Sequence, residues 1–134
     1  MTQIRLSLPQ AALDNVIVLN VRLNERKLIP MLLDTGAKYT VITSNVARPL
    51  EIDIQSRGRN VSVVTASQLT RVPLVSLDQV DVHGVALPDI EAVVTTDLPA
   101  ALGVEGLLGM SFLKQCRLVL DGPSQYLEIS TEAG

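Results

Sequence analysis

Short apolar or alternating segments, each bounded by a polar turn, recur along almost the whole chain, and this pattern constrains the fold more than any other feature. Many short strands with little helix predict an all-β barrel or sandwich. The predicted strands cover residues 4–8, 16–23, 28–33, 39–42, 61–65, 69–77, 80–87 (a hairpin that turns at His83-Gly84), 90–94, 117–120 and 126–129.

Only two stretches suggest helix. One covers residues 46–50, where Thr43, Ser44 and Asn45 are candidate caps, and the other covers residues 110–116. The chain has 134 residues, the size of one domain, and no linker or low-complexity stretch divides it. Residues 1–134 are therefore predicted to form a single domain. The composition is 47% hydrophobic but only 2% aromatic, so the core must be built mainly from Val, Leu, Ile and Ala.

The charge pattern argues against nucleic-acid binding, because the net charge is −3 and neither basic clusters nor interleaved aromatic residues occur. Cys116 is the only cysteine, which rules out an internal disulfide and fits a reducing compartment. No segment resembles a signal peptide, and no apolar run reaches membrane-spanning length. These features favour a cytoplasmic location, although a periplasmic or membrane-tethered protein from which such a segment has been removed remains open.

An ionisable acid interrupts a segment that otherwise resembles core, in the stretch LIPMLLDTGAKYTVIT from Leu28 to Thr43. Asp34 follows an apolar run, small residues come next, and Val41 and Ile42 resume the apolar pattern. Asp and Gly are common turn residues, so the tripeptide Asp-Thr-Gly alone could simply close a hairpin. Its setting is more specific, since Ala37 follows it and a Leu-Leu-Gly with a short helix lies downstream at residues 107–113.

The segments LLDTGA and GLLGMSFL together resemble the single-domain aspartic proteases of the retroviral type, the retropepsins, and in particular their bacterial relatives. The resemblance covers roughly residues 16–129 and includes the order of the elements: a hairpin, DTGA, a short helix, a flap-like hairpin, Leu-Leu-Gly with a helix, and the final strands. It implies a closed acid-protease barrel with one or two short helices. It also implies that Asp34 is catalytic and that the active unit is a two-fold homodimer.

Elementary electrostatics leads to the same assembly. A lone buried carboxylate is costly, whereas two adjacent carboxylates can share one proton and carry a single charge. The chain contains one Asp-Thr-Gly and no second Asp-Thr/Ser-Gly, so a carboxylate pair needs two chains about a two-fold axis. In the expected site, Thr35 bonds across the dimer, as the resemblance implies, and Gly36 allows the backbone to approach the carboxylates. No metal or other cofactor is expected.

The expected partners are a second copy of the chain and an extended peptide or protein substrate. The flap-like hairpin over residues 61–74 would cover the peptide, with main-chain hydrogen bonds providing affinity. The residues expected to contact substrate are Ala37, Val64, Thr65, Ala66 and Ser67. The tip departs from the family pattern, because it lacks the Gly that such tips usually carry. The terminal segments 4–8 and 126–129 are candidates for a sheet shared between the two chains.

Other chemistries fit the sequence less well. Ser111 lies in a segment that resembles a nucleophile elbow, but Leu113 occupies the position of the second Gly, so a helix cap is the preferred interpretation. His83 is the only histidine and precedes Gly84 in a predicted turn, and Cys116 is interpreted as a small core residue. Two functions remain: an aspartic endopeptidase, or a weak or inactive member of the same fold that serves dimerisation or peptide binding.

Overall fold

The computed structural model describes residues 1–8, 12–13, 15–54, 59–64, 69–96 and 98–132. Within these ranges the chain is mostly strand, with two short α-helices and one 3-10 turn, so the all-β prediction is confirmed. The elements are β1 (Thr2–Ser7), β2 (Ala12–Leu13), β3 (Val16–Leu23), β4 (Lys27–Leu33), β5 (Thr40–Thr43), α1 (Ser44–Ala47), β6 (Asn60–Val64), β7 (Leu69–Val82), β8 (Val85–Thr95), a 3-10 helix (Ala100–Leu102), β9 (Gly106–Leu108), α2 (Met110–Leu113), β10 (Arg117–Asp121) and β11 (Tyr126–Thr131).

The strands form two sheets. The larger sheet has the order β2-β3-β4-β9-β5-β8-β7-β6. Because β3 also pairs with β7, the six strands β3, β4, β9, β5, β8 and β7 form a ring of paired neighbours. This ring surrounds a core of aliphatic side chains, in which Phe112 is the only fully buried aromatic residue of the described chain. The low aromatic content therefore leads to the Val-, Leu- and Ile-based core that the sequence predicted.

The smaller sheet has the order β1-β11-β10 and joins the two ends of the chain. β11 pairs with β1 on one side, from Thr2 opposite Thr131, and with β10 on the other, from Arg117 opposite Ser130. Both edges of β11 are thus occupied within one chain. In this arrangement, a second chain could extend the sheet only at the outer edge of β1 or of β10. Of the two terminal segments expected to form a shared sheet, only β1 therefore has an edge available.

The strands β7 and β8 are longer than predicted. The polar residues Asp78 and Gln79 suggested a break, but the ladder continues in one register from Leu77 opposite Ile90 to Gln79 opposite Pro88. Asp89 adopts a left-handed conformation (φ 54°) at the single position where the ladder is interrupted. One polar pair therefore distorts the hairpin locally without ending either strand, and the predicted turn at His83-Gly84 is confirmed.

Both helices are shorter than predicted, for local reasons. α1 covers Ser44–Ala47 where residues 46–50 were predicted, and it ends just before Pro49, which has no N–H to continue the hydrogen-bond ladder. α2 ends at Leu113 because the next N–H groups switch to the tighter i to i+3 pattern, from Gln115 to Phe112 and from Cys116 to Leu113. No helix in the described part of the chain is long and apolar enough to cross a membrane.

β9 is the element that organises the centre of the larger sheet. It lies between β4 and β5, parallel to the first and antiparallel to the second, with Leu32 opposite Leu107 and Leu33 opposite Leu108. The apolar pair that precedes Asp34 is therefore directly beside the apolar pair that precedes Gly109. The two segments that stood out in the sequence meet at one place in the fold.

Candidate active site

The loop that follows β4 holds its carboxylate in a tight turn. The Gly36 N–H donates to Asp34 Oδ1 at 2.9 Å, and the Ala37 N–H donates to the Asp34 carbonyl at 3.3 Å. A Cβ on residue 36 would lie 3.2 Å from Asp34 Oδ1, closer than ordinary contacts allow. Gly36 thus places its N–H against the carboxylate at a position where a Cβ would crowd Asp34 Oδ1 by a few tenths of an ångström.

The tip of this loop faces solvent in the single chain. Thr35 and Gly36 are exposed, while Asp34 and Ala37 are half-buried. The apolar strand that precedes Asp34 leads out of the core to the surface, so one chain alone does not enclose the carboxylate. This exposure is compatible with a second chain that covers the loop. In a two-fold dimer, each chain would cover the Asp34 loop of the other.

The turn between β9 and α2 supports the loop from behind. The Asp34 N–H donates to the Leu108 carbonyl at 3.0 Å, and the Met110 N–H donates to the Ala37 carbonyl at 2.7 Å. Gly109 lies directly against the loop backbone, since a Cβ there would be 2.3 Å from the Tyr39 carbonyl oxygen and 2.9 Å from the Ala37 carbonyl oxygen. The Leu-Leu-Gly segment thus fixes the loop through backbone contacts that only glycine permits.

A buried pair of hydroxyl groups completes the support, and sequence reasoning missed it. The Ser111 hydroxyl lies 2.9 Å from Thr40 Oγ1 and 2.7 Å from the Glu91 carbonyl, and it accepts the Thr40 N–H at 2.9 Å. Thr40 Oγ1 in turn accepts the Gly109 N–H at 3.3 Å. The interpretation of Ser111 as a helix cap was wrong, because Gly109 is the N-cap and Ser111 lies within α2. The sequence did contain a signal, because the segment that follows the loop carries a hydroxyl at Thr40 and the segment GLLGMSFL carries one at Ser111.

The base of the β6–β7 hairpin packs in a small apolar cluster that also contacts the loop. Val72, Leu74 and Val93 form the buried part of this cluster, and residues from the loop, β5 and β6 pack against it, namely Tyr39, Val41, Val61 and Val63. The predicted flap therefore shares its base with the segment that carries Asp34. Thr65, Ala66 and Ser67 lie outside the described residues, as does the side chain of Val64, so their contacts with substrate stay predictions.

The other candidate residues lie apart from this loop. His83 is exposed in the β7–β8 turn with φ 51°. Cys116 is half-buried, and desolvation raises the pKa of its thiol to about 11, which suppresses the reactive thiolate. In the ranges that the structure describes, no three His, Cys, Asp or Glu side chains are grouped so as to hold a metal ion.

Comparison with known proteins assigns the chain to a family. The model of the family described as "gag-polyprotein putative aspartyl protease" matches residues 19–115, which is well over half of the chain and includes both the Asp34 loop and the β9–α2 turn. The chain therefore belongs to this family of retropepsin-like aspartic proteases. The sequence-based identification from LLDTGA and GLLGMSFL is confirmed at the level of the family.

Solved structures agree on the fold. A retropepsin-like aspartic protease from Rickettsia conorii is 22% identical, with 97% of this chain and 91% of that chain covered at a TM-score of 0.73. The retroviral protease-like domain of Ddi1 from Leishmania major is 14% identical, with 89% and 90% covered at a TM-score of 0.55. At these identities the likeness establishes the retropepsin-like fold. No curated protein sequence matches the chain.

Proposed function

We propose that the protein is an aspartic endopeptidase that hydrolyses peptide bonds as a two-fold homodimer, with one Asp34 from each chain. The observation that carries this proposal is the loop in which Gly36 holds the Asp34 carboxylate at the surface of a retropepsin-like fold. The Gly36 N–H fixes one oxygen of this carboxylate, and the Leu107-Leu108-Gly109 segment supports the loop backbone at the Asp34 N–H and the Ala37 carbonyl. Both features are explained if the carboxylate must meet its copy in a defined position.

The proposed chemistry uses the two carboxylates in different protonation states. The ionised Asp34 takes a proton from a water molecule, and the resulting hydroxide attacks the scissile carbonyl carbon. The protonated Asp34 gives its proton to the carbonyl oxygen, so a neutral tetrahedral diol forms. Collapse of this diol breaks the C–N bond: the leaving nitrogen receives a proton from the first carboxyl group, and one diol hydroxyl gives its proton to the second carboxylate as the new C=O bond forms. The pair ends with one proton, as it began, and no cofactor is needed.

The substrate would lie in extended form between the Asp34 loop and the β6–β7 hairpin. Extended peptides bind next to exposed main chain by strand-like hydrogen bonds, and side-chain pockets then add selectivity. Ala37, together with residues 64–67 of the hairpin, is proposed to contact the peptide. Thr35, which is exposed in one chain, is proposed to bond with the partner's loop.

The direct test is Asp34→Asn, assayed on a diverse peptide mixture by mass spectrometry of the cleavage products. The amide keeps the shape of the side chain but can neither act as base nor share the proton, so cleavage should fall by at least about a thousandfold. Asp89→Asn is the matched control, because this exposed carboxylate lies outside the loop and Asn tolerates its left-handed backbone.

Three results would contradict the proposal. Full activity in Asp34→Asn would mean that catalysis lies elsewhere. Peptide binding without any cleavage by the parent protein would favour the alternative function, a non-catalytic peptide-binding or dimerisation module of the same fold. Sedimentation that gives only monomer at high micromolar concentration would remove the homodimer on which the mechanism depends.

A further inference from the structure

The two segments proposed to bind the peptide carry more basic than acidic residues, although the chain as a whole is acidic. The net charge of the protein is −3. The loop and strand at residues 34–43 together with the hairpin at residues 59–74 contain Lys38, Arg59 and Arg71, while Asp34 is their only acidic residue. A local sign opposite to that of the whole molecule favours a ligand of complementary charge.

Two of these three cations already have partners within the chain. Arg59 lies 4.0 Å from the Glu91 carboxylate. Arg71 donates to the Asn60 carbonyl at 3.1 Å and contacts the Ser62 hydroxyl at 3.4 Å, which ties together the two strands of the hairpin. Both arginines therefore hold the hairpin and its base.

Lys38 differs from them. It is exposed, and among the described residues no carboxylate lies within ion-pair distance of its ammonium group. The ammonium lies 5.4 Å from the centre of the Tyr39 ring, a distance at which the ring face attracts a cation. Tyr39 itself packs against the apolar base of the hairpin. The charge of Lys38 thus lies beside a ring that packs at the base of the hairpin, four residues after Asp34.

We propose that Lys38 makes the protein selective for acidic peptides, by pairing with a Glu or Asp side chain of the substrate within a few residues of the scissile bond. This inference rests on the proposed function of the same site and adds the chemical class of its substrate. Because a two-fold dimer would bring one Lys38 to each side of the scissile bond, the acidic preference is expected on both sides.

The test is a set of peptides based on one cleaved sequence, in which Glu, Gln or Lys replaces each residue in turn. An exposed ion pair of about 1 kcal/mol corresponds to about fivefold in kcat/KM, so the best Glu position should exceed Gln by about that factor. Lys38→Met should reduce the difference to less than about twofold, since it keeps the stem and removes the charge. Lys38→Glu should reverse the order of Glu and Lys peptides. Lys114→Met is the control, because it removes the same charge from the exposed end of α2.

The outcomes separate this inference from the proposed function. Cleavage with no charge preference, or with a preference that persists in Lys38→Met, would overturn the role of Lys38 and leave the endopeptidase proposal intact. If no peptide is cleaved, fluorescence anisotropy on the same peptides tests binding directly. Tighter binding of the Glu peptides that is lost in Lys38→Met would then support Lys38 without catalysis, and equal binding of Glu, Gln and Lys peptides would overturn it.

Discussion

Gly109→Ala should damage the Asp34 loop from a distance, and the structure gives the size of the effect. The added Cβ would lie 2.3 Å from the Tyr39 carbonyl oxygen, 2.7 Å from its carbonyl carbon and 2.9 Å from the Ala37 carbonyl oxygen. These atoms belong to backbone, so no flexible side chain can move aside. Gly109 has φ −102°, which any residue adopts, so the cost is purely steric.

The clash requires the loop and the β9–α2 turn to separate by several tenths of an ångström. Overpacking of this kind costs about 1–3 kcal/mol. Separation also stretches the bond from the Met110 N–H to the Ala37 carbonyl and the bond from the Gly109 N–H to Thr40, each worth about 1 kcal/mol. The expected loss in the free energy of unfolding is therefore about 3–5 kcal/mol, accompanied by a loss of peptide cleavage.

The assay is equilibrium unfolding in urea at a fixed protein concentration, because association would add a concentration-dependent term. Gly122→Ala is the matched control, since a Cβ there would meet nothing within 4 Å and its φ is not positive. A loss below about 1 kcal/mol in Gly109→Ala, or an equal loss in both variants, would refute the account of how the β9–α2 turn holds the loop.

Two further predictions concern buried groups. Ser111→Ala should cost about 2–3 kcal/mol in the free energy of unfolding, because it leaves the buried Thr40 N–H without its acceptor. The control is Ser124→Ala, at an exposed turn, which should cost less than about 0.5 kcal/mol. Equal losses would contradict the role of the hydroxyl pair. Cys116 has a pKa raised by burial to about 11, so its contribution to stability is present below the ordinary thiol pKa and is lost as pH rises toward 11. The unfolding midpoint of the parent should therefore decline between about pH 9 and 11 relative to that of Cys116→Ala, and parallel profiles would argue against a desolvated thiol.

Local patterns were sufficient for most of the fold. Strand β3 and strand β4 follow from β-branched, apolar segments that flank a charged turn. Asp34-Thr35-Gly36 followed by Leu107-Leu108-Gly109 was specific enough to identify the family. The predicted end of α1 was wrong for a reason visible in the sequence, because the helix stops before Pro49 although it was predicted to continue to residue 50.

The remaining differences arise from contacts between distant residues. The continuity of β7 past Asp78 depends on its register with β8, and the role of Ser111 depends on Thr40, 71 residues earlier. Likewise, nothing in the alternation of β1 indicates that its partner is β11 of the same chain. Periodicity reports which face of an element is buried, but it does not report which element lies opposite.

The central claim is that catalysis needs two Asp34 side chains from two different chains, and subunit mixing tests it most directly. A fixed amount of parent protein is equilibrated with increasing amounts of Asp34→Asn, at concentrations where dimers predominate, and peptide cleavage is measured. If only parent–parent dimers are active, activity per parent chain falls in proportion to the parent's share of all chains, to about half at equal amounts. Activity per parent chain that stays constant at every ratio would show that one Asp34 suffices and would contradict the account.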